Sequence, residues 1–158
     1  MSNDVTLKNL NKALQMELSA AHQYQLHAHV LQDWGLEGLA AQMREEMAEE
    51  TGHSDRFLER ILFLKGDPQM EFQKKPHRAD TLVSMFKADL ADEEEAITFY
   101  TKAAQQAGEA GDIGSRKLFE GIVLEEEGHK AWLELQLDLI DRLGEAVYSA
   151  RFVGSDGA

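Results

Sequence analysis

The stretch EEEGH at residues 125–129 repeats the order of EETGH at residues 49–53, and each lies inside a long run of helix-forming sequence. Glycine in a helix interior costs about 1 kcal/mol relative to alanine. Histidine adds little to helix stability. The repeated order therefore indicates that these residues do more than form a helix.

The repeat extends well beyond these two segments, because adding 76 to a residue number relates many positions of the first half to the second. A helical hairpin that is used twice predicts a bundle with a pseudo-twofold axis, so each half should contribute the same groups to the centre. The related pairs are Leu14 and Leu90, Glu17 and Glu93, Tyr24 and Tyr100, Ala28 and Ala104, Gly35 and Gly111, Gly38 and Gly114, Glu49 and Glu125, Glu50 and Glu126, Gly52 and Gly128, and His53 and His129.

Apolar and small residues recur every three or four positions on either side of residues 65–80, which is typical of amphipathic helices. The chain's two prolines, Pro68 and Pro76, fall inside that interval, where the periodicity lapses. Two hairpins joined by one long connection predict an all-α, ferritin-like four-helix bundle with a long crossover and a short fifth C-terminal helix. Asp80 is the predicted N-cap of the third helix. We predict a single domain over 1–158, with helices at about 5–34, 38–65, 81–109, 113–143 and 145–152.

The composition narrows the range of functions. With 16 basic and 29 acidic residues the net charge is -13, which repels nucleic acid and anionic membranes and attracts cations. The absence of cysteine excludes disulfides, thiolate metal sites and cysteine nucleophiles. The first fifteen residues show no apolar signal segment, and no apolar run approaches the roughly 20 residues that span a bilayer. We expect a cytoplasmic protein with no nucleic-acid or membrane partner.

Each of the four long predicted helices carries one glutamate in its apolar stripe, where a leucine would be expected. In two helices a histidine follows this glutamate by three residues, and residues at that spacing share a helix face. Each Glu-x-x-His pair can therefore direct a carboxylate oxygen and an imidazole nitrogen at one point. The candidate ligands are Glu17, Glu50, His53, Glu93, Glu126 and His129.

Four carboxylates close together in an apolar bundle are costly unless they are protonated or neutralised by cations. Two divalent cations would neutralise them, and mixed carboxylate and imidazole ligation suits iron, manganese or zinc rather than calcium. One Glu from two helices plus Glu-x-x-His from the other two is the ligand pattern of di-iron carboxylate bundles. The alternative is a purely structural role, as buried ion pairs or a solvated acidic face. The shift of 76 that relates the whole set argues against that alternative.

Two tyrosines accompany the candidate ligands. Tyr24 and Tyr100 lie seven residues after Glu17 and Glu93, on the same helix faces. Either hydroxyl could donate to a ligand carboxylate or supply an electron during oxygen chemistry, or the ring could simply fill the core. Both interpretations stay open for Tyr24, and a core role is favoured for Tyr100. His27 lies near the face of Tyr24 and is expected to be a packed or surface residue.

The chain resembles the bacterioferritins and the related bacterial ferritins over essentially its whole length. The resemblance implies a ferroxidase centre that binds two irons per subunit through the six candidate ligands, with Glu50 and Glu126 bridging. It also implies a hollow octahedral shell of 24 subunits that stores ferric mineral, with the fifth helix near residues 145–152 lining fourfold contacts. The matching stretches are LNKALQMELSAAHQYQLHAHVLQDWGL at 10–36, EETGHSDRFLERILFLKGDP at 49–68, DLADEEEAITFY at 89–100 and EEEGHKAWLELQLDLIDRLG at 125–144.

The sequence departs from this family at two places. Haem-binding members have a methionine directly after the bridging glutamate of the second helix, where two subunits ligate haem b, and this chain has Thr51 there. A threonine hydroxyl is a poor ligand for haem iron, so we expect no haem in a homo-oligomer. Some members carry an auxiliary iron site of histidine and aspartate on the inner surface. This chain has Glu45 and Glu49 there, and both could still pass iron inward.

These observations predict iron storage and detoxification by a ferroxidase that oxidises Fe(II) to Fe(III) with dioxygen or peroxide. One alternative is a non-haem subunit in a mixed shell with a haem-binding sister subunit. Another is a rubrerythrin-like peroxidase, which normally needs a cysteine-ligated iron domain that this chain lacks. A small DNA-protecting ferritin shell fits less well, because proteins of that class bind iron between subunits and lack the twin repeat within one chain.

Overall fold

The computed structural model describes residues 3–154 and confirms the all-α bundle. Each predicted helix boundary lies within two residues of the observed one. Among the helices of these residues, none combines the length and apolar character that a membrane span requires. The helices are α1 (Asn3–Asp33), α2 (Glu37–Phe63), α3 (Leu82–Glu109), α4 (Ile113–Leu143) and α5 (Glu145–Ala150).

Helix α1 packs along α2 and α3 packs along α4, and the core between the two hairpins is divided into two apolar clusters. The Tyr148 cluster includes Leu31, Met43, Phe86, Leu133 and Tyr148. The Phe119 cluster includes Leu14, Phe57, Tyr100, Phe119 and Ile122.

Each candidate glutamate lies where its helix passes from one apolar cluster to the other. On α2, for example, Glu50 comes after Met43 of the Tyr148 cluster and before Phe57 of the Phe119 cluster. The glutamate of α3 also follows residues of the Tyr148 cluster and precedes residues of the Phe119 cluster. In α1 and α4 the order along the chain is reversed. The four carboxylates are therefore confined to a polar layer across the middle of the bundle, with apolar packing at both ends.

The helix ends follow from local backbone chemistry. Two residues after the ends of α1 and α3 lie Gly35 and Gly111, whose positive φ angles of 83° and 78° allow a Schellman turn. Helix α3 is capped by Thr81, whose hydroxyl accepts a hydrogen bond from the backbone N–H of Ser84 over 3.0 Å. The prediction of Asp80 as the N-cap was wrong by one residue, because the extended backbone that a cap requires occurs at Thr81 (φ -134°, ψ 160°).

The long crossover between α2 and α3 lies on a polar stripe of α1 whose members are four residues apart. Asn11, Ser19 and Gln23 accept hydrogen bonds from the backbone N–H groups of the crossover over 2.8 to 3.0 Å. Gln15 and Gln23 also donate to crossover carbonyl oxygens. Residues four apart share a helix face, so one face of α1 fixes the path of the crossover beside the polar layer.

A stability prediction follows from the end of α2. Lys65 has a φ of 64°, and among residues 3–154 it is the one residue other than glycine with a positive φ. It lies two residues after the end of α2, where α1 and α3 are followed by glycine. A side chain there costs roughly 1 kcal/mol, so we expect Lys65→Gly to raise the free energy of unfolding by about 0.5–1 kcal/mol. Guanidinium unfolding followed by circular dichroism measures the change.

Lys65→Ala is the matched control, because alanine removes the charge and the long side chain but keeps the Cβ atom. We expect it to show no comparable gain. Equal stabilisation by alanine and glycine would contradict the backbone explanation.

Candidate metal centre

One glutamate from each long helix, together with a histidine from α2 and one from α4, meet in the polar layer. All six side chains are buried, and His129 is the most exposed of them at 7%. They form two ligand groups, in each of which the ligand atoms lie within 4.8 Å of one another. The first group is Glu17, Glu50, His53 and Glu126, and the second is Glu93, Glu126 and His129.

Two carboxylates lie between the two histidines. One oxygen of Glu50 is 3.3 Å from Nδ1 of His53 and 3.5 Å from Nδ1 of His129. One oxygen of Glu126 lies at the same two distances, 3.3 and 3.5 Å. This arrangement suits two adjacent metal ions that share Glu50 and Glu126.

Each outer carboxylate is held by a tyrosine from the other hairpin. The hydroxyl of Tyr24 on α1 donates to Glu93 on α3 over 2.6 Å, and that of Tyr100 on α3 donates to Glu17 on α1 over 2.8 Å. Burial and the neighbouring carboxylates raise the pKa of both hydroxyls well above the usual value, so both stay protonated as donors. The two tyrosines therefore have equivalent contacts, although the sequence favoured only a core role for Tyr100.

Several candidate ligand atoms are buried and have no hydrogen-bond partner among residues 3–154. A buried polar atom without a partner is unfavourable, and cations bound to the two ligand groups would satisfy these atoms. Carboxylate oxygens and imidazole nitrogens together fit iron, manganese or zinc. The unpartnered atoms include Nδ1 of His53 and His129 and one carboxylate oxygen each of Glu17, Glu50, Glu93 and Glu126.

The two central carboxylates favour a proton in the metal-free protein. Burial, followed by the negative charge of Glu17, raises the pKa of Glu50 well above its usual value. Burial and the charges of Glu17 and Glu93 do the same to the pKa of Glu126. Positive charge at the centre would remove this cost, because it stabilises the ionised carboxylates.

The outer nitrogen of each histidine faces a further carboxylate. Nε2 of His53 is 3.3 Å from Glu125, and Nε2 of His129 is 2.7 Å from both Glu49 and Glu46. The contact of His129 with Glu49 is a hydrogen bond, which fixes the orientation of that ring and leaves its Nδ1 directed at the metal positions, whereas Nε2 of His53 has no hydrogen-bond partner among the described residues. Burial lowers the pKa of His129, but Glu46 and other nearby carboxylates outweigh it and raise the pKa to about 12. Metal binding through Nδ1 would therefore release a proton.

The two histidine sides differ in charge despite the repeat. Glu125 is paired with Arg56 over 2.6 Å, but the residue that the shift of 76 relates to Arg56 is Trp132. Glu46 is buried, at 5% exposure, and is related to Ile122. Among the described ion pairs, Glu46 and Glu49 contact the imidazole of His129 and no lysine or arginine, so the side of His129 carries more negative charge than the side of His53.

The structure separates the two residues that the sequence suggested for iron transit. Glu49 contacts His129, and its side chain is 50% exposed. Glu45 is exposed on the surface of α2, and its neighbour Glu46 occupies the buried position. Glu46 was not predicted as a site residue, although it precedes Glu50 by four residues and so lies on the same helix face.

Thr51 lies beside the ligands but faces outward. Its side chain is exposed, and its hydroxyl donates to the backbone oxygen of Met47 over 2.9 Å. The position is therefore open at the surface of the protomer, where a partner molecule or a second copy could approach it.

A buried pair beside the centre was also not predicted. Nδ1 of His27 on α1 lies 3.2 Å from a carboxylate oxygen of Asp89 on α3, and both side chains are buried. Burial raises the pKa of Asp89 to about 6, although His27 opposes the shift. The shift of 76 relates this pair to Ala103 and Ala13, so the repeat offered no signal for it.

Comparisons with known proteins point to one family. The family profile described as the ferritin-like domain matches residues 7–143. A bacterioferritin of Rhodobacter capsulatus is 42% identical over 135 residues, which cover 85% of this chain and 84% of the relative. A bacterial ferritin of Synechocystis sp. is 39% identical over 139 residues, which cover 87% and 89%.

Solved structures agree with these sequence matches. BfrA from Mycobacterium tuberculosis superimposes with a TM-score of 0.95 at 36% identity, covering 99% of this chain and 97% of that one. The R. capsulatus bacterioferritin was solved with a metal-free dinuclear site and a haem iron in a crystallographic special position. It superimposes with a TM-score of 0.93 at 37% identity, covering 98% and 97%.

The buried carboxylates allow a test of metal binding through stability. Because folding raises the pKa of Glu50, the folded metal-free chain binds this proton more tightly than the unfolded chain, and the contribution of Glu50 to stability falls as pH rises above about 4. Glu50→Gln should remove this loss and stabilise the metal-free protein by about 1–3 kcal/mol at neutral pH. It should also abolish most of the stabilisation by Zn²⁺ or Co²⁺, which reaches about 2.7 kcal/mol for an ion at 100 times its Kd.

Thermal unfolding of the chelator-treated and metal-loaded protein checks both expectations. Glu59→Gln is the matched control, because it makes the same substitution at an exposed position of the same helix. It should leave the stability of the metal-free and of the metal-loaded protein nearly unchanged. If Glu50→Gln keeps the full metal-dependent shift, Glu50 is not a ligand.

Proposed function

The chain belongs to the bacterioferritin family of ferritin-like proteins, and from this premise we propose that it oxidises ferrous iron inside its helical bundle and stores the ferric product. Membership of this family supports iron storage as the general function. The ferroxidase reaction and its residues are our proposal for this chain.

One observation carries the proposal: two adjacent ligand groups share Glu126 and leave their buried ligand atoms unpartnered. A purely structural cluster would be expected to satisfy these atoms within the protein. Two divalent ions would satisfy them and balance four carboxylates. Iron is the substrate here, and the six side chains Glu17, Glu50, His53, Glu93, Glu126 and His129 are its proposed ligands, two ions per subunit.

The proposed reaction needs two ferrous ions side by side. Each gives up one electron, so dioxygen or peroxide receives an electron pair. Glu50 and Glu126 hold the two substrate ions together, and Tyr24 and Tyr100 keep the outer carboxylates in place through their hydrogen bonds. Oxidation adds one positive charge to each ion, so the four carboxylates no longer balance the pair. This favours hydrolysis, in which the ferric product takes hydroxide from water and releases protons, and the hydrolysed product can then leave for the mineral.

We further propose that the product leaves on the side of His129. Its Nε2 touches Glu46 and Glu49, and these carboxylates lack the arginine that neutralises Glu125 on the other side. A cation leaving the centre meets negative charge there and then reaches solvent at Glu49. Glu45, exposed beside them, could receive iron at the surface.

Assembly into a hollow shell is part of the same proposal. Bacterioferritins form multimeric shells, and we propose the homo-oligomer of 24 that the family resemblance implies, in the cytoplasm. Ferric mineral would accumulate inside this shell. The fourfold contacts suggested for α5 remain a prediction.

Thr51 supports a second candidate function, as the non-haem subunit of a mixed shell. Its hydroxyl is engaged with the backbone of its own helix and is a poor ligand for haem iron. A sister subunit with methionine at this position would then supply the haem. The six candidate ligands are complete in this chain, so it would be an active ferroxidase in either assembly.

Rapid mixing tests the ferroxidase proposal. Protein given ferrous iron without oxygen and then mixed with oxygen should oxidise about two Fe(II) per subunit in a fast phase, followed by ultraviolet absorbance, as two adjacent sites require. Glu50→Ala and His129→Ala should each slow this phase by about 100-fold or more, because each removes a proposed ligand.

The exposed Glu59→Ala on the same helix provides the control and should retain the fast phase. A fast phase of normal amplitude in both ligand variants would sink the assignment of the centre.

The haem prediction has a separate measurement. The chain expressed alone should show no Soret band, and Thr51→Met should gain one, because a thioether replaces a poor ligand at an exposed position. Thr51→Val, which has a similar size and no sulfur, serves as the control and should remain without haem. A Soret band in the unmodified homo-oligomer would overturn the assignment of Thr51.

A further inference from the structure

A cavity connects the crossover surface with the candidate metal centre. It lies between α1 and α3 and has a volume of about 40 Å³. A single water or ion needs roughly 10–15 Å³ by this measure, so the cavity can hold more than one. Its inner wall includes Glu17 and Glu93, and its outer wall includes Lys74, Asp92 and Glu95.

Lys74 occupies the outer end of this cavity. Its ammonium group donates to Asp92 over 2.9 Å and to Glu95 over 3.2 Å. Its backbone N–H and that of Gln73 both donate to the hydroxyl of Ser19, which fixes this point of the crossover on α1. The hydrogen bond to Asp92 raises the pKa of Lys74, so the group stays cationic.

The inner end of the cavity presents unused negative groups. One oxygen of Glu17 and one of Glu93 are buried without a hydrogen-bond partner in the described chain. These side chains are only 1% and 3% exposed. Buried and unpartnered carboxylate oxygens on the wall of a cavity call for a cation, which must reach them from outside.

The outer acidic pair belongs to one half of the repeat only. The shift of 76 relates Asp92 to Met16 and Glu95 to Ser19. Helix α1 therefore supplies an apolar residue and the anchor for the crossover where α3 supplies two carboxylates. The entrance is built asymmetrically, with acidic residues on α3 and a cationic residue held over them by α1.

We propose that Asp92 and Glu95 form an entry site for divalent cations and that the ammonium group of Lys74 occupies this site until an incoming ion displaces it. A divalent ion carries twice the charge of the ammonium group and so competes for the two carboxylates. The three side chains are about half exposed, at 52%, 44% and 45%, and ion pairs of this kind are weak. Lys74 thus slows cation entry without preventing it.

This inference rests on the proposed function, because it assumes that the cavity leads to a working metal centre. It adds a control on the rate of entry that the centre itself does not require. Lys74 is not a ligand of the centre, so changing it should alter how fast metal arrives and not how much metal binds.

Stopped-flow binding of Co²⁺ to the metal-free, assembled protein tests the inference without any oxidation step. The ligand-field absorbance of bound Co²⁺ reports arrival at the centre. We expect Lys74→Gln to accelerate binding by about three- to tenfold at low ionic strength, since one positive charge leaves the entrance. The gain should shrink in about 0.5 M salt, which screens such charges, and the amount of Co²⁺ bound should not change.

Lys75→Gln is the matched control. Lys75 is the next residue of the crossover, is exposed and lines the same cavity, so its replacement changes the net charge equally. We expect less than a twofold effect, since Lys74 is the lysine bonded to Asp92 and Glu95. In Asp92→Asn/Glu95→Gln protein, Co²⁺ binding should be slower, and adding Lys74→Gln should give no acceleration.

The possible results separate the two proposals. Equal acceleration by Lys74→Gln and Lys75→Gln would show a general charge effect and overturn the entry site. An unchanged or slower rate in Lys74→Gln would overturn it as well, with the metal centre intact. If Co²⁺ binds the centre in none of the proteins, the proposed centre fails, and the entry inference fails with it.

Discussion

The burial of four carboxylates between two apolar clusters is the constraint on which the rest of the structure depends. In water these groups would be ionised at little cost, but inside the bundle each charge must be neutralised by a proton or a cation. The Tyr148 and Phe119 clusters supply the apolar packing that stabilises the bundle around this unfavourable layer. Because the clusters close both ends, the proposed routes of ions to and from the layer run along its sides, past the crossover for entry and past His129 for exit. The location of the chemistry and its routes of access thus follow from one arrangement of charge.

The repeated hairpin explains how a chain of this size could build the proposed site for two ions. Each half supplies an outer Glu, a Glu-x-x-His pair and a Tyr whose hydroxyl crosses to the other half. Departures from the repeat are as informative as the repeat itself. Arg56 neutralises Glu125 on one side only, and the acidic pair under Lys74 belongs to α3 only. A symmetric centre with asymmetric surroundings is consistent with the proposal that ions enter and leave by different paths.

Several features of the site could be predicted because they depend on spacing within one helix. Glu50 and His53 share a face wherever that helix is placed, and the shift of 76 extends the argument to Glu126 and His129. Contacts between elements were harder to predict. The pairing of Tyr100 with Glu17 requires the relative rotation of α1 and α3, and so does the burial of His27 against Asp89. Glu46 and Glu45 are adjacent acidic residues in the sequence, and only their positions around α2 separate a buried partner of His129 from a surface residue.

The sequence by itself determined the helical pattern, the duplication, the six candidate ligands and the presence of Thr51 where the family resemblance implies a haem-ligand methionine. These are properties of residue identity and of a helical period that does not depend on the environment. The tertiary structure alone decided which carboxylate oxygens remain unpartnered, which tyrosine holds which glutamate, and where the crossover places Lys74. The physical reason is that hydrogen bonds and ion pairs act over about 3 Å, whereas the residues that make them are separated by 18 to 83 positions in the chain.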